Sequence, residues 1–72
     1  MFTLKDYEIL KKQGFDFKLS NDKKFVRVYK NNNFQDTIFR TSHSICFFGH
    51  LDFVKATGEE ILDFFQAVDQ LK

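Results

Sequence analysis

His43, Cys46 and His50 place two imidazoles and a thiol within the stretch HSICFFGH, with two and three residues between successive donors. That spacing suits a zinc site, and Asp52 is the nearest fourth ligand for a closed one. The same stretch reads as a β-strand, in which Cys46 points to one face while Ile45 and Phe47 take the other. The favoured reading is a buried structural cysteine between two ordinary histidines. A thiol nucleophile with a histidine base has less support. Nothing puts Cys46 at a helix N-terminus, and apolar neighbours raise a thiol pKa.

Carboxylates also cluster, at Glu59, Glu60 and Asp63. Acids in the first turn of a helix are expected from its dipole and sit on its solvated side, whereas general acid and base work needs a partly desolvated pair beside a pocket. Gly14, Gly49 and Gly58 are isolated, so no glycine-rich phosphate loop is present. No enzyme signature emerges, and the expectation is a non-enzymatic protein without metal or cofactor.

The stretch KKFVRVYK, residues 23–30, carries a different chemistry. As one strand it sends Val26 and Val28 to one face and Phe25, Arg27 and Tyr29 to the other. An exposed row of this kind, continued by Phe34 and Phe39, has the aromatic and arginine content of protein-binding hot spots. Alternatively the aromatics stack bases while Lys18, Lys23, Lys24, Arg27, Lys30 and Arg40 contact phosphates. A third reading packs Phe25 and Tyr29 beneath the first helix and uses the lysines to blunt an edge strand.

Charge discriminates among these. The 72 residues carry a formal net charge of +1. Residues 1–40 hold nine Lys or Arg against five acids, and residues 41–72 hold two against five. So small a total weakens the counterion release on which nucleic-acid modules rely, while the asymmetry steers partners or lets two copies dock. Eleven Phe and two Tyr are more rings than a small two-layer domain hides, so some must be exposed or covered by a partner. A lone cysteine excludes an internal disulfide. MFTLKDYEILKK has neither signal-peptide nor lipidation character and no apolar run reaches membrane length, which makes a cytoplasmic protein the expectation.

These residues need elements to hold them. TLKDYEILKKQ predicts a short helix capped by Thr3, with Asp6 in its first turn, Lys11 and Lys12 near its end, an apolar stripe of Leu4, Tyr7 and Leu10, and Gly14 as its stop. FDFKL at 15–19 alternates as a half-buried strand, SNDK turns, and KFVRVYK returns as its hairpin partner. A turn at Asn31, Asn32 and Asn33 leads into NFQDTIFRT, where neither alternate set is strictly apolar. Residues 44–48 read as a central strand, Gly49 as a bulge or bend, and 50–55 as a continuation or a fifth strand. TGEE at 57–60 is a capping box opening an amphipathic helix, with Ala56 or Val54 stapled to Ile61 and an apolar face of Ile61, Leu62, Phe64, Phe65, Val68 and Leu71.

The predicted architecture is a single α+β domain over residues 1–72: a short N-terminal helix, a three- or four-stranded antiparallel meander, and a C-terminal helix packed on the sheet. What covers the second sheet face is left open. The function expected is docking on a larger protein, or on a second copy as a homodimer, with nucleic-acid binding as the alternative and no membrane partner. Abundant Phe, Lys and Asn without Pro or Trp looks like the composition of accessory proteins from AT-rich bacterial, phage or mobile-element genomes. That likeness transfers no residue role, and for a phage-encoded chain it places the protein in the host cytoplasm.

Overall fold

The computed structural model describes residues 2–48 and 53–71. Along the chain lie α1 (Leu4–Lys12), β1 (Phe15–Leu19), β2 (Phe25–Lys30), β3 (Asn33–Phe39), β4 (Ile45–Phe48), β5 (Phe53–Ala56) and α2 (Gly58–Gln70). The fold is α+β, with β1, β2 and β3 forming an antiparallel meander and β4 and β5 a separate two-stranded ribbon.

Each helix is opened by a reciprocal cap. Thr3 Oγ1 accepts the Asp6 N–H at 3.2 Å while the Asp6 carboxylate accepts the Thr3 N–H at 3.1 Å, and Thr57 and Glu60 repeat the exchange at α2. Two otherwise orphaned amides are satisfied at each start, worth about 1 kcal/mol per cap. After α1, Gly14 takes φ +94°, a left-handed conformation natural to glycine, and turns the chain into β1.

The hairpins owe their shape to polar turn residues. Asn31 and Asn32 both adopt positive φ, +51° and +69°, as in the two-residue turns whose twist matches that of the flanking strands. In the β1–β2 turn the left-handed residue is Lys23, φ +61°, not Asn21 or Asp22. Ser20 and Asp22 bond the Lys24 amide there instead. Gln66 donates to the Lys23 carbonyl at 2.9 Å and the Lys23 ammonium meets Asp69 at 2.8 Å, which ties this turn to α2.

One face of the meander carries Phe17, Val26, Val28 and Ile38, all buried in a core shared with Leu10, Phe47, Val54, Ala56, Ile61 and Leu62. Both helices lie on this face. Tyr7 of α1 packs its ring on Phe17 of β1 and on Phe64 and Phe65 of α2, with centroids 5.6–5.9 Å apart. Phe2, which precedes the Thr3 cap and was not among the expected core residues, is 3% exposed and lies edge-on to Phe17 and Phe64. From the N′ position of α1 it packs against β1 and α2.

Three expectations are corrected. Residues 45–48 are not a central strand of the main sheet. Phe47 inserts between Phe15 and Phe17, with centroids 5.4 and 5.6 Å away, so β4 lies over the covered face and takes β5 as its partner in a separate ribbon. Leu71 and Leu4, expected within the apolar stripes of their helices, are 87% and 59% exposed; Leu71 follows the last residue of α2, and Leu4, in the first turn of α1, lines an open recess with Tyr7, Phe17 and Phe64. Nor do Phe25 and Tyr29 lie beneath α1, since strand alternation sends them to the opposite face. Gly49, expected to bend the chain, lies outside the described residues. Among the described residues no helix is long and apolar enough to cross a membrane.

Candidate interaction surface

Alternation along β2 turns Phe25, Arg27 and Tyr29 away from the core, and the pairing brings specific neighbours beside them. Phe25 stands opposite Phe39, and Arg27 opposite Thr37 on one side and Lys18 on the other. Tyr29 stands opposite Asp16 and Phe34. All five residues expected to form a protein-contact surface, Phe25, Arg27, Tyr29, Phe34 and Phe39, thus share one sheet face, opposite the one on which α1 and α2 pack.

A β-bulge makes this possible. In an unbroken strand Phe34 has the parity of Ile38 and would point into the core side. The register shifts between Val28 and Tyr29, so that Val28 pairs with Asp36 and Tyr29 with Phe34, leaving Gln35 as the extra residue. One inserted residue reverses the facing of everything before it. The mixed character of NFQDTIFRT is therefore two apolar half-strands of opposite parity joined at Gln35.

Rings and cations interleave on this face. Phe25 and Phe39 meet with centroids 5.5 Å apart at one end, Tyr29 and Phe34 at 5.9 Å at the other. Between them the Arg27 guanidinium lies 5.2 Å from the Phe25 centroid and the Lys18 ammonium 5.1 Å from that of Tyr29, distances at which the ring quadrupole attracts a cation. Phe34 and Phe39 remain 57% and 49% exposed.

Basic residues proposed for phosphate contact scatter by comparison. Lys18 and Arg27 stand on the open face, but Lys23 bridges to Asp69 and Arg40 to Asp63 of α2. The Asp63 hydrogen bond raises the Arg40 pKa further above its usual value. Lys30 has the parity of Val28 and places its ammonium 4.9 Å from the centroid of Phe15, and Lys24 belongs to the β1–β2 turn. The structure gathers two of the six.

The lysines flanking β2 do not blunt a sheet edge, because β2 is the central strand. Edge strand β3 is blunted from within: the Thr37 N–H donates to Asp36 at 2.8 Å and the Phe39 N–H to the Ser42 hydroxyl at 3.0 Å. Amides occupied in this way are poor templates for an added strand.

Cys46 is exposed rather than buried; its neighbour Phe47 is buried, so strand alternation faces Cys46 outward. His43 is exposed as well. His50 and Asp52 lie outside the described residues, and among the described residues no His, Cys, Asp and Glu cluster suits a metal ion. A recess of about 280 Å³ between Phe15, Ile38, Ile45 and Phe47 on the covered face lies at the lower limit of small-molecule sites, roughly 300 Å³.

No known relative decides the matter. No family model matches the chain, and neither a curated protein nor a solved structure does. The functional reading accordingly rests on the open face itself.

Proposed function

We propose that this chain is a small non-catalytic docking module that engages a larger protein through the open face of β1–β3. The observation that carries this reading is the pair Phe34 and Phe39, about half exposed beside Phe25, Arg27 and Tyr29. A chain of 72 residues has little stability to spare, and leaving large rings in water forgoes burial worth roughly 1.5–3 kcal/mol each. A contact surface gives those rings their burial when the partner arrives.

Locally bonded β3 amides favour engagement by the face over strand addition at the edge. The dispersal of Lys23, Lys30 and Arg40 favours protein over nucleic acid, because two clustered cations neutralise few phosphates. The Phe-, Lys- and Asn-rich composition without Pro or Trp supports reading the module as an accessory protein of a phage or mobile element, acting in the cytoplasm of the producing or host cell.

A photo-crosslinking side chain introduced at Phe34 or Phe39, and at Lys12 on α1 as control, tests the reading in the producing cell. The expected outcome is one discrete protein adduct from positions 34 and 39 and none from position 12. Equal adducts from all three positions, or none from any, would refute it.

A further inference from the structure

The charges of the open face define the chemistry of its occupant. Lys18 and Arg27 stand side by side across β1 and β2, and among the described residues neither is in an ion pair. Of the other cations near the sheet, Lys11 pairs with Asp16, Lys23 with Asp69 and Arg40 with Asp63, Lys30 covers Phe15 on the opposite side, and Lys24 lies in the β1–β2 turn at the end of the face. Asp16 on this face already binds Lys11 and accepts the Phe17 N–H, and Asp22, which lines a recess with Lys18, Phe25 and Arg27, already accepts from the Ser20 hydroxyl and the Lys24 N–H. The centre of the face is thus a pair of uncompensated cations, bounded by Phe25 and Phe39 at one end and Tyr29 and Phe34 at the other.

Resting on the docking function above, we infer that the partner presents one or two carboxylates midway between two apolar side chains. Phe25 and Tyr29 are four residues apart on one strand, so the two aromatic clusters are about 13 Å apart. Lys18 and Arg27 are neighbours at the strand spacing of roughly 5 Å, close enough to share one carboxylate or hold two. An extended segment meets this pattern with apolar residues at i and i+4 and an acid at i+2, and a helix meets it over about nine residues at 1.5 Å rise.

A second copy of this chain is a poor occupant. Face-to-face packing would bring Lys18 and Arg27 of one molecule against those of the other, and among the described residues the nearest acids, Asp16 and Asp22, are already bonded within their own chain. Docking of unlike charges raises association rates and selects the partner, whereas like charges brought together are costly.

Random displayed peptides of about twelve residues, long enough to span the 13 Å in either conformation, provide the probe. Selection is run on the wild-type chain, on Lys18→Glu/Arg27→Glu and on Phe34→Ala/Phe39→Ala, each checked for the wild-type circular dichroism spectrum. Peptides enriched on wild type are expected to carry Asp or Glu between two apolar residues, to bind the charge-reversed chain at least about tenfold more weakly, and to give way to basic peptides when selection is repeated on that variant.

Enriched peptides that require Phe34 and Phe39 but show no acidic bias and no response to charge reversal would overturn this inference while leaving the docking function standing. No enrichment on wild type over an unrelated protein would overturn it as well. Two further results would do the same by naming another occupant: a homodimer dissociated by Phe34→Ala/Phe39→Ala, or salt-dependent oligonucleotide binding abolished by Lys18→Glu/Arg27→Glu.

Discussion

The two faces of the β1–β3 meander are built from the same residue types and put them to opposite uses. On the covered face, Phe17 meets Phe2, Tyr7, Phe47 and Phe65 within a centroid distance of 6.2 Å, and apolar side chains from both helices and the ribbon close around it. On the open face, among the described residues, Phe25 and Phe39, and Tyr29 and Phe34, pair with each other and with Lys18 and Arg27. Rings enclosed on all sides contribute to folding, and rings enclosed on one side remain available for binding. The difference lies in what packs above the sheet, not in the strands.

If that contrast is right, truncation on the covered face costs most. Phe17→Ala removes the ring on which α1, α2 and β4 converge, and a loss of about 3–5 kcal/mol is expected. For a domain of this size that approaches the whole of its stability. Urea unfolding followed by circular dichroism should find the variant largely unfolded without denaturant; a midpoint close to wild type would mean that Phe17 does not organise the core.

A smaller loss is expected where α2 meets β3. At Gly58 an added Cβ would run into the Phe39 carbonyl oxygen and crowd Ser42 and Ile38, so Gly58→Ala must push the helix start away from the strand. About 1–3 kcal/mol is expected from such overpacking, read as a lowered thermal midpoint. An unchanged midpoint would show that the helix start can shift at little cost.

Truncation on the open face should cost the fold much less than truncation of Phe17. Phe34→Ala/Phe39→Ala removes two cross-strand aromatic pairs, each worth roughly 0.2–1 kcal/mol, while abolishing the expected crosslinks to a partner. A loss as large as that of Phe17→Ala would place these rings in the folding core and erase the distinction between the faces.

The smallest effect belongs to the β1–β2 turn. Bonds from the Ser20 hydroxyl and the Lys24 amide lower the Asp22 pKa below its ordinary 3.8. A carboxylate depressed in the folded state contributes stability that is present above the unfolded-state pKa and is lost as pH falls through the folded one. The thermal midpoint of wild type should therefore exceed that of Asp22→Asn at neutral pH, with the gap narrowing below 3.8. A gap independent of pH would assign the difference to hydrogen-bond geometry rather than charge.

Much of this contrast is legible in the sequence. FDFKL and FVRVYK alternate cleanly, so the facing of Phe17, Val26 and Val28 and of Phe25, Arg27 and Tyr29 follows from period two, and both helix starts are written in Thr3 and Thr57. Phe34 is harder, because simple alternation assigns it to the side of Ile38 and no local residue type announces the bulge at Gln35. The β4–β5 ribbon escapes for a related reason. ICFF is apolar enough for a central strand, and only the fit of Phe47 between Phe15 and Phe17 decides that it lies across the sheet. Phe2 carries no periodic signal, since it precedes the helix and is placed by rings from distant parts of the chain.

An open face reserved for a foreign partner leaves the free chain monomeric, and the mass of the purified chain in solution tests that. Light scattering coupled to gel filtration, at low and at moderate salt, should give a monomer near 8.6 kDa in both. Twice that mass at both salts, returning to the monomer value in Phe34→Ala/Phe39→Ala, would show that the face is already occupied by a second copy and would contradict the account.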